Sequence, residues 1–214
     1  LDQELSRRGL SFVRYADDVQ IFVNSPMSAE RVQASIIQFI ENKMKLKVNR
    51  EKSSIKRYYK MNFLGYGMQT GGKLRLSETS EQRLKEKLKK ITQRNRGVNL
   101  EQILKELKTV LQGWLQYFKL AQMKSKLKAI EGWLRRRLKS FRLKQCKRAI
   151  GIVRFLTKLG VEKTLCWRTA LSGKGWWRLS NSPALSIGMN NKWFLEQGFY
   201  SLTLNYQRLY RNPL

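Results

Sequence analysis

The sequence predicts an α+β protein, in which a strand-containing part up to about residue 76 precedes an almost wholly helical part. Two runs rich in β-branched and aromatic residues, 11–15 and 19–23, are separated by only three residues, which indicates a β-hairpin. From residue 77 onward the apolar residues recur every three or four positions, as in amphipathic helices. This change of period favours a small sheet with a helix, followed by a helical bundle.

The strand-containing part begins with a short helix over residues 2–8, which Gly9 ends as a left-handed cap. Pro26 ends the second strand of the hairpin, and the apolar residues that follow predict a helix over 28–45. The other predicted elements are a short strand at 47–49, a strand at 61–69 broken by Gly65 and Gly67, and a tight turn at 70–72 that leads into 73–76.

The helical part contains two pairs of residues with the spacing of an N-cap and its reciprocal partner, Thr79 with Gln82 and Asn99 with Gln102. They predict helices that begin near residues 80 and 100. A third predicted helix, about 124–144, is apolar on one side and basic on the others. A Gly, Trp and Lys/Arg loop at 173–178 follows, and two further short helices are expected near 184–195 and 198–210.

The charge of the chain is strongly positive and unevenly distributed. Forty-four Lys and Arg against fifteen Asp and Glu give a net charge of +29 in 214 residues, which makes nucleic acid the leading partner. Residues 1–76 carry fourteen basic and seven acidic side chains, whereas the remainder carries thirty and eight. The second part, with a net charge of +22, is therefore the main candidate for binding a polyanion.

The chain has no histidine, and its two cysteines, Cys146 and Cys166, form no CxxC motif. These absences exclude Ser-His-Asp catalysis, histidine general bases, zinc fingers and HNH-type nuclease chemistry. A reducing compartment fits best. No apolar run of about 18 residues predicts a transmembrane span, and no signal peptide is recognisable. We expect a cytoplasmic protein associated with nucleic acid, whose natural start is missing because the chain begins inside a helix without Met.

Two of the three aspartates in the chain, Asp17 and Asp18, are adjacent and lie between the strands of the predicted hairpin. Adjacent carboxylates repel each other, and a divalent cation that neutralises both offsets that cost. Mg²⁺ prefers oxygen ligands, commonly one or two carboxylates together with substrate phosphates. Because successive side chains of a strand face opposite ways, only a turn brings both carboxylates towards one site.

Basic and aromatic residues supply candidate nucleic-acid contacts. The stretch 133–148 contains eight Lys or Arg and no acidic residue, although a single basic run is also typical of a solvated helix face. Aromatic rings beside Arg and Lys stack on exposed bases while the cations meet phosphates. Trp114 and Trp133 lie on apolar stripes, which favours a core position, whereas both readings stay open for Trp176 and Trp177.

A succession of motifs resembles one family. Residues 12–18 (FVRYADD), 46–49 with 51–53, and 63–66 (FLGY) resemble the end of the palm of bacterial group II intron reverse transcriptases. The resemblance continues, in the family's order, through 94–97, Gly113-Trp114 with Tyr117-Phe118, 133–138 and 180–183, which are similar to the thumb and the maturase domain X. It covers nearly the whole chain, and it implies a bacterial cytoplasmic protein associated with RNA or the nucleoid.

The resemblance implies roles for individual residues. Asp17 and Asp18 are the catalytic, Mg²⁺-binding pair, and Tyr15 and Lys52 lie near the incoming nucleotide, although an ordinary loop lysine remains the alternative for Lys52. Phe63, Leu64 and Gly65 resemble the primer-grip hairpin. Combined with the charge pattern, the resemblance gives candidate RNA contacts at Arg94, Arg96, Arg135, Arg136, Arg137, Lys139, Arg142, Lys144, Lys147, Arg148, Lys174, Trp176, Trp177 and Arg178.

The resemblance also implies a domain order: residues 1–76 as the C-terminal part of the palm, 77–145 as the thumb, and 146–214 as the maturase domain. Its implied activity is RNA-directed DNA polymerisation on a DNA primer or target DNA with dNTPs and Mg²⁺, together with binding of group II intron RNA to promote splicing. Whether the protein forms a homodimer stays open.

The family's first metal-binding Asp belongs to a palm strand ahead of residue 1, so we expect these residues alone to be inactive as a polymerase. The alternative is an RNA-binding maturase without polymerase activity. A basic architectural or ribosome-associated protein explains the charge and leaves the acid pair unexplained.

Overall fold

The chain folds as an α+β protein, as predicted. A computed structural model describes residues 1–211, with side chains as far as Leu209. These residues divide into two compact units, the first being Leu1–Met61 and the second starting at Asn62. Within the described residues no helix combines the length and apolarity needed to cross a membrane.

The first unit contains the predicted hairpin. Helix α1 (Asp2–Arg7) ends before Gly9, which has the left-handed φ of 65° expected of a cap. Strands β1 (Ser11–Tyr15) and β2 (Asp18–Phe22) pair antiparallel, from Ser11↔Phe22 to Tyr15↔Asp18. Helix α2 (Pro26–Gln38) follows, with the side chain of Ser25 accepting a hydrogen bond from the Ser28 amide at 3.2 Å.

The end of the first unit differs from the prediction. Helix α2 stops at Gln38, and one π-helical turn, Phe39–Lys43, follows. The strand predicted at 47–49 is wrong, because these residues are in neither a helix nor a strand. Asn49 instead starts a local turn: its side chain accepts from the Lys52 amide at 3.2 Å and its carbonyl from the Ser53 amide at 3.1 Å. Asn favours such local bonds over a sheet ladder.

The second unit starts with a three-stranded antiparallel sheet in the order β3-β4-β5, formed by Asn62–Phe63, Tyr66–Met68 and Leu74–Leu76. Leu64 and Gly65 form the turn between β3 and β4, because Phe63 pairs with Tyr66. A 3-10 turn, Thr70–Gly72, lies between β4 and β5. The predicted strand is thus broken at Gly65, while Gly67 lies inside β4.

Nine described helices complete the second unit: α3 (Glu78–Ile91), α4 (Leu100–Phe118), α5 (Lys124–Gln145), α6 (Ala149–Lys158), α7 (Lys163–Ala170), α8 (Trp176–Leu179), α9 (Pro183–Gly188), α10 (Asn191–Glu196) and α11 (Leu202–Arg211). Asn99 caps α4 as predicted, accepting from the Gln102 amide at 2.8 Å. The N-cap of α3 is Ser77 rather than Thr79, with the Ser80 amide donating to its hydroxyl at 3.2 Å.

The core of the second unit is built around α5. This helix packs against α8 and α11, while α3 packs on α4 and α6 contacts α7 and α9. Leu127, Ile130, Leu134, Leu138 and Phe141 of α5 are all at most 1% exposed. Trp176 and Trp177, expected in a flexible loop, begin the single-turn helix α8. The helix predicted over 184–195 is two helices, because Asn190 caps α10.

Candidate active site and nucleic-acid interface

The hairpin of β1 and β2 presents the acid pair at its tip. Tyr15 and Asp18 form the last strand pair, so Ala16 and Asp17 make a two-residue turn, and Asp18 is the first residue of β2. Ala16 has a φ of 51°, a left-handed value that costs energy for a residue with a Cβ. Asp17 and Asp18 are both exposed, and they are not successive residues of one strand, because Asp17 lies in the turn and Asp18 begins β2.

Arg14 of β1 ties this tip to α1. Its Nε lies 2.7 Å from Oδ1 of Asp2, and its Nη2 donates to Oδ2 of the same carboxylate at 2.8 Å. Its Nη1 donates to the carbonyl of Ala16 at 3.2 Å. One guanidinium therefore engages the third aspartate and the strained turn residue together, a role that the sequence pattern did not reveal.

The donor set suits a hard cation but is small. Across the described residues, no three His, Cys, Asp or Glu side chains are grouped in a way that could hold a metal ion. Asp2 is engaged by Arg14, which leaves the adjacent carboxylates of Asp17 and Asp18 as the oxygen donors. Mg²⁺ commonly takes one or two carboxylates, and water and phosphate oxygens complete its shell. The pair therefore fits one Mg²⁺ as a partial site.

The predicted nucleotide contacts are accessible. Tyr15, next to the turn, is 62% exposed. Lys52 lies in the turn that Asn49 starts, and its side chain is exposed. Both residues belong to the first unit, and both roles stay predictions.

The predicted primer-grip residues are the last residue of β3, Phe63, and the two residues of the β3–β4 turn, Leu64 and Gly65. Phe63 ends β3 and is half-buried, and Leu64 is 40% exposed at the turn. The hydroxyl of Tyr117 in α4 donates to the Leu64 carbonyl at 3.0 Å. The Ser80 hydroxyl donates to the Gly65 carbonyl at 3.2 Å. Tyr117 lies in one of the motifs of the family resemblance but had no predicted role, and a spacing of 53 residues offers no sequence signal for this bond.

Several of the predicted RNA-binding arginines contact other parts of the protein. Arg137 donates to Thr92 Oγ1 at 2.6 Å and to the Lys89 carbonyl at 3.0 Å, which caps the end of α3. Arg96 forms a two-pronged pair with Glu106, at 2.8 and 3.0 Å, and also donates to the Ile91 carbonyl.

Four other arginines of this group, Arg94, Arg135, Arg136 and Arg142, contact aromatic rings or polar groups. Arg136 lies 4.1 Å from the ring centroid of Trp177 and donates to the Trp177 carbonyl at 3.2 Å. Other such contacts are Arg142 over Phe155 at 4.6 Å, Arg135 over Phe199 at 6.0 Å, and Arg94 with Ser140 Oγ at 3.5 Å. Burial lowers the pKa of Lys139, and the neighbouring charge of Arg135 lowers it further. RNA binding by these residues stays a prediction.

Among the predicted RNA contacts, two exposed groups are accessible to an approaching polyanion. Lys144, Lys147 and Arg148 lie at the junction of α5 and α6, and Lys174, Trp177 and Arg178 lie around the start of α8. The contacts between Arg136 and Trp177 hold the second group against α5. Trp176, by contrast, packs against the core, as do Trp114 and Trp133, which agrees with the core positions expected for the latter two.

Two family models match the chain in succession. Residues 1–68 match the reverse transcriptase (RNA-dependent DNA polymerase) family. Residues 81–159 match the family described as group II intron, maturase-specific domain. Together these matches cover about two thirds of the 214 residues. No curated protein matches the sequence.

Proposed function

The chain belongs to the reverse transcriptase and maturase proteins of group II introns, and from this premise we propose that Asp17 and Asp18 bind Mg²⁺ for RNA-directed DNA synthesis. The observation that carries the proposal is the exposed acid pair at the β1–β2 tip, inside the segment that matches the reverse transcriptase family. The third carboxylate of the metal site would come from polypeptide preceding these residues, as the family resemblance implies.

The chemistry that bound Mg²⁺ supplies is activation of the primer 3′ hydroxyl and neutralisation of charge on the leaving pyrophosphate. In this proposal the carboxylates of Asp17 and Asp18 hold the metal. Arg14 donates a hydrogen bond to the Ala16 carbonyl and so fixes the turn on which the two carboxylates lie. Tyr15 and Lys52 lie near the incoming dNTP. Phe63, Leu64 and Gly65 contact the primer strand.

The test is primer extension by the longest natural polypeptide that contains this chain. We expect Asp17→Asn and Asp18→Asn each to lower the rate at least ~100-fold, because a metal clamp contributes several kcal/mol of charge stabilisation. The matched control is Glu30→Gln, which removes an exposed carboxylate of α2 and should leave the rate within about twofold. Extension that survives the double variant Asp17→Asn/Asp18→Asn rejects the assignment.

A second function, binding of group II intron RNA to promote splicing, is favoured by the charge of the second unit. Residues 62–214 carry thirty-two Lys and Arg against eight acidic side chains. This part includes the segment that matches the maturase-specific domain. The exposed groups around Lys144 and Lys174 are the proposed phosphate contacts. In a protein of this family the two functions coexist, so the RNA-binding role does not exclude the polymerase.

Binding measurements at several salt concentrations test this second function. Each phosphate contact is expected to steepen the salt dependence by ~0.7–0.9 log units of affinity per log unit of salt. Substituting Lys144, Lys147 and Arg148 by Gln should therefore lower the slope by ~2–3 units. Equal affinity for intron RNA and an unrelated structured RNA at physiological salt counts against a specific maturase role.

A further inference from the structure

The turn between β3 and β4 holds a residue in a costly conformation. Leu64 has a φ of 51° and Gly65 a φ of 81°, so both turn residues are left-handed. A hairpin turn with two such residues prefers Asn-Gly, and a Leu in the first position is strained. Leu64 is also 40% exposed. Strain persists only where surrounding contacts fix the conformation, and it is often found at functional positions.

Both carbonyls of this turn are held by groups from the start of α3 and the end of α4. The Tyr117 hydroxyl donates to the Leu64 carbonyl at 3.0 Å. The Gly65 carbonyl accepts from the Ser77 amide at 3.0 Å and from the Ser80 hydroxyl at 3.2 Å. In return, the Tyr66 hydroxyl donates to the Tyr117 carbonyl. Two tyrosines thus exchange bonds between the hairpin and α4.

Packing leaves the turn no room to shift towards the helices. A Cβ added to Gly65 would lie 2.6 Å from Ser80 Oγ and 3.0 Å from the Phe118 ring. Phe118 belongs to a cluster of rings, with centroid distances of 5.2 Å to Tyr66, 4.7 Å to Tyr117 and 5.0 Å to Trp114. Such ring pairs add to the stability of a contact beyond their buried area. The turn is therefore fixed to α4 by hydrogen bonds and by shape.

We propose that Tyr117 is a positioning residue for the primer: it locks the Leu64–Gly65 turn onto α4, so that Leu64 meets the primer strand in one conformation. This inference rests on the proposed function, which places the primer at this turn. If Tyr117 has this role, α4 is part of the structure that holds the primer, and the neighbouring rings of Tyr117 and Phe118 have different roles. Tyr117 holds a backbone carbonyl, while Phe118 fills the space that Gly65 leaves.

The test compares Tyr117→Phe with Tyr206→Phe in primer extension. Tyr206 is the control, since its hydroxyl also donates to a backbone carbonyl, that of Ala121 at 2.8 Å, which is not a residue of the turn. Tyr117→Phe should raise the KM for primer–template about five- to tenfold, as loss of one hydrogen bond allows, with kcat at saturating primer and intron RNA affinity unchanged. Tyr206→Phe should leave that KM within about twofold. Equal KM values for the two variants overturn the proposal.

A second variant, Leu64→Gly, separates positioning from folding. Glycine adopts left-handed φ freely, so this change should keep or raise the unfolding temperature. It should nevertheless raise the KM for primer–template at least about fivefold, because the side chain presented to the primer is lost. An unchanged KM in Leu64→Gly overturns the proposal even if Tyr117→Phe shows an effect.

Amide hydrogen exchange on the protein without nucleic acid distinguishes failure of this inference from failure of the proposed function. Faster exchange over residues 62–68 in Tyr117→Phe than in Tyr206→Phe supports the lock, and equal exchange overturns it. If the parent protein extends primers and Asp17→Asn abolishes extension, the polymerase assignment stands whichever result the exchange gives. If the parent protein extends no primer, the polymerase assignment fails, and with it the primer role of Tyr117.

Discussion

Arg14 brings a positive charge into the same hairpin as Asp17 and Asp18, and Asp2 neutralises it. The two-pronged contact, 2.7 and 2.8 Å long, directs the guanidinium towards α1. A guanidinium released from Asp2 would be free to pair with Asp17 or Asp18 at the tip of the same hairpin, where it would compete with a cation. If Asp17 and Asp18 hold Mg²⁺ as proposed, Asp2 would therefore assist metal binding without being a ligand.

The residue-scale prediction is that Asp2→Asn raises the Mg²⁺ concentration for half-maximal primer extension about fivefold. The size follows from a unit charge acting over a few ångströms in a largely aqueous site. The double variant Asp2→Asn/Arg14→Gln should reverse at least half of this increase in the Mg²⁺ concentration, because the competing charge is then absent. A Mg²⁺ titration of extension rates is the measurement.

Glu41→Gln is the control for this prediction, since Glu41 pairs with Arg50 at 2.8 Å in the same unit. It should leave the Mg²⁺ requirement unchanged. If Asp2→Asn behaves like Glu41→Gln, or if Arg14→Gln recovers nothing, Arg14 does not compete with the metal.

The acid pair itself was predictable from sequence because its signal is local: two apolar runs, a three-residue gap and two adjacent carboxylates. The bonds of Arg14 to Asp2, Tyr117 to Leu64 and Arg137 to Thr92 were not predictable, since they join residues 12 to 53 positions apart that share no periodic pattern. Local periodicity shows which face of a helix is polar. It does not show with which residues of a neighbouring helix the side chains on that polar face form hydrogen bonds.

At the scale of elements, α5 illustrates this limit. The sequence predicted its bounds within a residue or so, and its buried stripe is as expected. Its basic residues, however, looked alike in sequence and differ in the structure. Arg137 caps α3, while Lys144 is exposed near the C-terminal end. Capping of α3 also depends on Thr92, whose hydroxyl donates to the Leu88 carbonyl at 2.7 Å.

The element-scale prediction is that Arg137→Gln lowers the free energy of unfolding by ~2 kcal/mol, because it removes charged hydrogen bonds from a half-buried helix end. Lys144→Gln should change stability by less than ~0.5 kcal/mol. RNA affinity, measured well below the unfolding temperature, should fall for Lys144→Gln and stay unchanged for Arg137→Gln. Denaturant unfolding and RNA titration of both variants are the measurements. A loss of RNA affinity in folded Arg137→Gln would show that this arginine contacts RNA.

At the scale of the whole molecule, buried side chains are unequally shared between the two units. In the first unit the buried apolar residues are Leu5 and Ile36, whereas thirty described residues of the second unit form one buried cluster. Small domains need a contiguous core to fold alone, and two buried side chains do not provide one. The second unit should therefore be the source of most of the protein's cooperative stability.

The boundary between the two structural units lies after Met61, whereas the boundary predicted between palm and thumb lies at 76/77. The palm–thumb boundary stays a prediction about functional regions. Strands β3–β5 lie between the two positions and pack on helices of the second unit. Leu76 is fully buried there, and the Gln122 amide donates to the Leu74 carbonyl at 2.8 Å. Functional motifs follow the family's order, whereas folding units follow burial, so the two boundaries need not coincide.

The whole-molecule prediction concerns three fragments. Residues 62–214 should unfold in one cooperative transition, and residues 1–61 should show none, because their core is too small. Residues 77–214 should be less stable than 62–214 by at least ~3 kcal/mol, since removing β3–β5 takes away fully buried Leu76 and exposes the ring of Phe118. Circular dichroism melts and denaturant titrations measure these differences. Equal stability of 62–214 and 77–214 would place the folding boundary at 76/77, and a cooperative melt of 1–61 would show that the hairpin unit folds without a larger core.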